Sequence, residues 1–418
     1  MANLLLPIVA LLSGIALLLL GSGLLNTVLA LRGTLEGFSD GMLGLIGSAY
    51  FAGFFLGTFV APHLIRRMGH VRAFAFFGAA IAAAILMHAL IVEPAFWLVL
   101  RILTGIALVG FYTVIESWLN SETHGGRRAQ VFAIYMIVNL GALAAAQQLL
   151  HIDSPAGFTL FVVAAIFACL SVMPVALTRL APPPLHEAPH PDVRKLWRVA
   201  PLAFVGACVS GIGMGAFWTM APVYGARIGL AQGDVGLLIS FAILGGAAMQ
   251  WPVSYFSDRH DRRATLGWVA GGAATAASLM IVLGNFGPAV LLGAFLFGAA
   301  GFSVYPVVIA HLIDHLPHGE ILAGNAGILL LHGLAAAFGP AIAGAMMSVI
   351  GPVGLPLHFL LSFAPLAAFA FWQARAKADE IVDEPAHCVP MLRTSPTVLE
   401  MITPDEELPA APQPAAQD

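Results

Sequence analysis

The chain has 418 residues, 59% of them hydrophobic and 10% charged, with a net charge of −4 and a mean hydropathy of +0.90. A soluble globular domain carries about 25% charged residues, so this composition excludes a water-soluble fold. Nucleic acid is not an expected partner. The three cysteines, Cys169, Cys208 and Cys388, lie far apart and offer neither a disulfide framework nor a zinc spacing.

Apolar stretches of about 20 residues, the length that spans a bilayer, recur twelve times. The expected spans are 5–31, 41–61, 71–91, 96–118, 130–150 and 156–178, then 199–224, 232–253, 264–284, 287–311, 321–347 and 353–373. The first run has no basic residue before it and is read as a retained helix rather than a signal peptide. Two segments break the rhythm. Arg179 to Arg198 is rich in Pro and charge and contains the expected linker, 186–198. It separates an N-terminal half, 1–185, from a C-terminal half, 199–373. The acidic, Pro-rich stretch 374–418 reads as a disordered tail.

Orientation follows from the basic residues. With both termini cytoplasmic, all 18 lysines and arginines fall inside except Arg32 and Arg227, which fall outside, and Arg101, which falls within a span.

Two short, charge-dense stretches occupy corresponding places in the halves: 62–72, with Arg66, Arg67 and Arg72, and 254–263, with Asp258, Arg259, Arg262 and Arg263. The correspondence extends into the helices. At an offset of 192 residues Gly44, Ser48 and Gly53 meet Gly236, Ser240 and Gly245, and Gly141, Ala144 and Ala145 meet Gly333, Ala336 and Ala337. At 193, Leu103, Gly105 and Tyr112 meet Leu296, Gly298 and Tyr305. Two six-helix halves with parallel internal symmetry describe a transporter architecture.

The loop arginines suit a two-state gate, pairing with acidic residues on neighbouring helix ends in one state and parting in the other. Glu116 is the candidate partner for Arg66 or Arg67, and Asp314 for Arg259 or Arg262. Arg72 and Asp258 belong to the same loops. Arg101 lies about five residues in from the outer end of its span, where a charge is costly and should face a polar cavity. It can attract an anionic group, modulate a proton site, or act structurally by bonding carbonyls. No carboxylate sits at mid-depth, so a coupling proton is left open as a partner. His311-Leu-Ile-Asp314-His315, with His318 nearby, has a spacing that can bind a transition metal. The plainer reading, histidines standing in for basic residues, is preferred and no metal site is assigned. No phosphate loop, nucleophile elbow or dinucleotide fingerprint appears, so neither a cofactor nor an enzymatic activity is expected.

On these motifs the chain resembles the major facilitator superfamily over essentially its whole membrane region. That family carries Gly-x-x-x-Asp-Arg-x-Gly-Arg-Arg between helices two and three, often echoed between eight and nine. Here the second copy matches better, with Ser254 and Asp261 in place of the two glycines. In the first, Pro62 replaces the first glycine and Arg66 the aspartate, leaving Arg67, Gly69 and Arg72. Arg101-Ile-Leu-Thr-Gly105 looks like the family's Arg-x-x-x-Gly element, whereas the Gly-Pro of its antiporter element is missing from helix five. Glu116-Ser-Trp-Leu-Asn120 and Gln250-Trp-Pro252 are similar to the YcaD-like branch. The resemblance implies that helices one, four, seven and ten line a substrate cavity. It thereby selects Asn26, Thr27, Arg101, Tyr112, Thr113, Met214, Trp218, Thr219, Tyr224 and Tyr305. This largely aromatic and neutral polar set suits an amphiphilic or weakly anionic organic solute. The expectation is a monomeric transporter of the bacterial inner membrane working by alternating access. A sensor or scaffold on the same fold, and a metal transporter using His and Met, remain as alternatives.

Overall fold

The computed structural model describes residues 2–121, 128–178, 183, 192–317, 319–376 and 388. Within these, twelve helices are long and apolar enough to cross a membrane. We number the spanning helices α1 (Ala2–Leu35), α2 (Asp40–Met68), α3 (His70–Leu90), α4 (Pro94–Ser121), α5 (Arg128–Gln148) and α6 (Thr159–Leu170), the last continued by a turn at Met173–Ala176. The second set is α7 (Pro201–Arg227), α8 (Gln232–Ser257), α9 (Arg262–Leu283), α10 (Val290–Ile313), α11 (Ile321–Ile350) and α12 (Gly354–Ala376). A short helix, Val193–Val199, precedes α7 and is capped by Asp192, whose carboxylate accepts from the amides of Arg194 and Lys195 at 3.0 Å. Residues 186–191 of the expected linker, the tail from 377 apart from Cys388, Arg127, Arg179 and His318 lie outside the described residues.

The helices overrun the expected spans at the charged ends. The stretch 62–72 is not a free loop: α2 runs through Arg66 and Arg67 to Met68, and α3 begins at His70. Hydropathy falls before the hydrogen-bond ladder does. The actual stop is Gly69 at φ 78°, a conformation that only glycine adopts without strain. Likewise 254–263 contains the last turn of α8, a turn at 258–261 and the start of α9. Asp261, which replaces a family glycine, is the N-cap of α9 and accepts from the Arg263 amide at 3.0 Å.

The internal repeat has a packing cause. Gly53 of α2 meets the backbone at Ile102 of α4, and Gly105 of α4 meets the Tyr50 carbonyl of α2. A Cβ at either position would collide with main chain, so the helices cross at backbone contact. In the C-terminal half Gly245 of α8 meets the Phe295 carbonyl of α10, and Gly298 meets the Ala242 carbonyl. The same reciprocal crossing is therefore built twice.

The halves meet chiefly where α2 packs on α11 and, to a lesser degree, α5 on α8. Among the described residues, the following hydrogen bonds between them gather at one end of the bundle. There the Ser348 hydroxyl accepts from the Gly41 amide (2.8 Å) and that of Ser48 from the Ala341 amide (3.0 Å). Gln148 donates to Ser240 (3.1 Å), and Gln232 to the carbonyls of Leu150 and Asp153. Arg227 Nε pairs with Asp40 at 2.8 Å. The opposite end carries the two charge-dense stretches.

Candidate substrate cavity and gate

A cavity of about 130 Å³ lies between the halves. Five of the ten expected residues line it: Asn26 from α1, Tyr112 from α4, Met214 and Trp218 from α7, and Tyr305 from α10. Tyr112 and Tyr305, equivalent in the repeat, face it from opposite halves. Arg101 and Thr219 instead line a smaller recess of about 20 Å³, together with Asn26, Gly47 and Val223. Asn26 belongs to both, so the recess adjoins the cavity.

Three expected residues are not among the lining. Thr27 donates to Gln147 Oε1 (2.7 Å), Thr113 to the Val109 carbonyl (2.8 Å) and Tyr224 to the Met280 carbonyl (3.1 Å), and all three are buried. Their polar atoms are satisfied inside their own halves. The structure also adds lining residues that the four-helix expectation missed: Ser22, Tyr50, Phe51, Phe54, Asn139, Ser210, Phe302 and His332. Helices α2, α5 and α11 thus contribute to the wall. No carboxylate is among the residues lining either space.

Arg101 is 3% exposed. Its Nη2 donates to Asn26 Oδ1 at 2.8 Å, and its guanidinium carbon lies 4.1 Å from the Tyr50 ring centroid. The second contact is a cation–π interaction, strong when desolvated. The glycine crossing produces this geometry: Gly105 is one turn beyond Arg101 and touches the Tyr50 carbonyl, which brings the tyrosine ring to the arginine.

At the charged end, Arg262 Nε lies 2.5 Å from Asp314 Oδ2, with each side chain 4% exposed, and Arg262 Nη2 lies 3.6 Å from Asp258. Of the two candidates for Asp314, Arg262 holds it. Arg259 is exposed and stacks on Tyr255, 3.6 Å from the ring centroid. The difference follows from helix phase: Arg262 opens α9 and points inward, while Arg259 sits on the turn. Asp258 also accepts from the Cys388 amide at 2.8 Å. Burial pushes the Cys388 thiol above its ordinary pKa, partly offset by hydrogen bonding to Ser254.

In the first half Glu116 is fully buried and accepts from the Tyr135 hydroxyl at 2.5 Å, while Arg66, Arg67 and Arg72 are exposed. The histidine pair His311 and His315 packs with ring centroids 4.3 Å apart. Arg263 Nη2 stands 3.5 Å from His315 Nε2, a fixed positive charge that opposes a metal cation. Among the described residues no group of three or more His, Cys, Asp or Glu could hold a metal ion.

Twelve spanning helices in two similar halves around a central cavity define a polytopic membrane protein of transporter architecture. The comparisons specify it further. The chain matches the Major Facilitator Superfamily profile over residues 11–231 and 203–403, and it belongs to that superfamily. Its relatives place it in the YcaD-like branch. It is 26% identical over 343 residues to the uncharacterized MFS-type transporter YcaD of Escherichia coli O7:K1, covering 82% of this chain and 89% of that one. It is 27% identical over 351 residues, with the same coverage, to an uncharacterized MFS-type transporter of Enterobacter sp. (strain 638). Among solved structures it superposes on the nucleoside transporter NupG with a TM-score of 0.72 at 13% identity, covering 90% of this chain and 100% of that one. It superposes on a bacterial homolog of the human lysosomal transporter Spinster, inward-facing and unoccupied, with a TM-score of 0.71 at 15% identity over 89% and 97% of the two chains. These likenesses establish the fold, a multi-pass membrane location and a transporter family.

Proposed function

We propose that this protein is a secondary transporter that carries a small organic solute, amphiphilic or weakly anionic, across the bacterial inner membrane by alternating access. The observation that carries the reading is the one-sided seal. A cavity lined by both halves lies between them, and the hydrogen bonds that join the halves gather at the end away from the arginine-rich stretches. With the termini cytoplasmic, as the arginine distribution supports, the cavity would be closed outward and accessible from inside. The arginine-rich turns would close in the opposite state, with the Arg262–Asp314 pair fixing the ends of α9 and α10 as one surface.

The test is counterflow in proteoliposomes loaded with a panel of organic acids, neutral aromatics, sugars and lipophilic cations, run on the protein as a monomer. Exchange of one chemical class, lost in Trp218→Ala, is the expected result. Spin labels on the two halves should report two distances at each end of the bundle. A single distance distribution at both ends under every ligand, with no exchange, would sink alternating access. An imposed pH gradient in the same vesicles tests for a coupling proton.

A further inference from the structure

Arg101 is a buried cation with no carboxylate on the surfaces around it. Nη2 is taken by Asn26, but Nη1 is buried and has no hydrogen-bond partner. A guanidinium carries five donors in a fixed plane that matches a carboxylate, so leaving one nitrogen dry and unpaired in a packed interior is unfavourable.

Helix packing does not require this cation. Shifted by 193 residues, Arg101 falls on Ala294, and Tyr50, shifted by 192, falls on Ala242. The C-terminal half makes the identical crossing, Gly298 against the Ala242 carbonyl, with those two alanines. The arginine and the tyrosine beside it are additions to a scaffold that closes without them. They also stand at the boundary between halves. Arg101 and Asn26 face the recess from one half, and Thr219 and Val223 face it from the other.

We propose that this recess is a carboxylate subsite and that the solute is a small, flat monocarboxylate. This rests on the transport reading above and names its substrate class. The carboxylate takes the free edge of Arg101. The apolar body lies in the adjoining cavity, among Phe54, Tyr112, Trp218, Phe302 and Tyr305. A cavity of about 150 Å³ accommodates one benzene ring, and this one, at about 130 Å³, is on that scale. A single arginine and no other fixed cation in the lining suit one anionic group rather than two. The lack of any lining carboxylate disfavours a cationic solute. An anion seated there touches both halves, so its arrival and departure would bear on how they move.

The experiment uses the full chain in lipid nanodiscs, titrated with benzoate, benzamide, benzylamine and chloride and followed by tryptophan fluorescence. Wild type should bind benzoate saturably at millimolar concentration or below, with benzamide weaker by about tenfold or more, the effect of losing one charge-assisted pair. Arg101→Gln should weaken benzoate by a similar factor and leave benzamide unchanged. Asn26→Asp keeps size and arginine while placing a carboxylate on Arg101 itself, so it should also abolish the benzoate preference. That variant carries the test if Arg101→Gln does not fold. The subsite is overturned by wild type that fails to bind benzoate, by benzamide binding equally well, or by benzoate affinity unchanged in the foldable variants. Chloride binding as tightly as benzoate would mean a small-anion site only and would overturn it too. Counterflow separates the two readings. Exchange of a neutral or cationic panel member without benzoate binding removes the subsite and leaves transport standing. No exchange by any panel member removes transport whatever benzoate does.

Discussion

Removing the Asp314 carboxylate should be among the most damaging single changes in the C-terminal half. Arg262 and Asp314 are each 4% exposed and 2.5 Å apart. Unit charges about 4 Å apart attract by roughly 4 kcal/mol at an effective dielectric near 20. Deleting one partner of a buried pair costs about 3–5 kcal/mol, because the other charge is left uncompensated. Arg262 retains Asp258 at 3.6 Å, which sets Asp314→Leu toward the lower end, about 3 kcal/mol. Arg262→Met takes the cation away from both Asp314 and Asp258 and should cost about as much. The double variant loses both charges together, so its cost should fall short of the sum of the singles by about 2 kcal/mol or more. Reversible unfolding of the purified protein by SDS in mixed micelles, followed by circular dichroism, measures all three. Additivity within about 0.5 kcal/mol would refute the buried pair as an energetic unit, and with it the idea that it fixes the ends of α9 and α10.

The helix crossings predict that Gly53→Ala and Gly245→Ala each destabilise by about 1–3 kcal/mol through backbone overlap. Gly141→Ala, where a Cβ meets nothing within 4 Å, should be neutral or slightly stabilising; equal losses at all three in SDS unfolding would contradict the crossing. At the sealed end, Arg227→Ala removes a partly exposed pair with Asp40 worth at most about 1 kcal/mol, so the sealed population should fall by no more than about fivefold. Spin labels at the exposed positions Leu35 and Val349 measure this, and complete loss of the short distance would mean the seal rests on Arg227 alone. Cys388 should react with maleimide at neutral pH more slowly than in SDS-denatured protein, since burial raises its pKa and depletes thiolate. Raising the pH or substituting Asp258→Ala should speed the reaction, and a native rate equal to the denatured one would exclude the contact at Asp258.

The twelve spans were legible because hydropathy over about 20 residues is a strong signal, and the repeat because the crossing glycines have no substitute. The helix ends were not: α2 continues seven residues past position 61 to Met68, since arginines at a membrane surface leave the backbone ladder intact. The cavity was legible only in part. A helix that is apolar all round gives no period to say which face meets a partner, which meets lipid and which meets a cavity. Tyr50, Asn139 and His332 therefore had no pattern to mark them. Conversely, Thr27, Thr113 and Tyr224 look like cavity residues in a string of letters but spend their polar atoms on neighbouring groups.

Duplication gives a further criterion that neither hydropathy nor motif supplies. Positions equivalent in the two halves and making the same contact, such as Gly105 and Gly298, answer to helix packing, because the identical constraint acts twice. Positions equivalent but chemically unlike cannot be explained that way. Arg101 against Ala294 is one case. The charged ends are another, with Arg66 standing where the C-terminal half has Asp258, and His70 where it has Arg262, the residue that holds Asp314. A symmetric scaffold needs none of these departures to fold. A solute, which is not itself two-fold symmetric, and a gate that must favour one side at a time both require the halves to differ where they meet it.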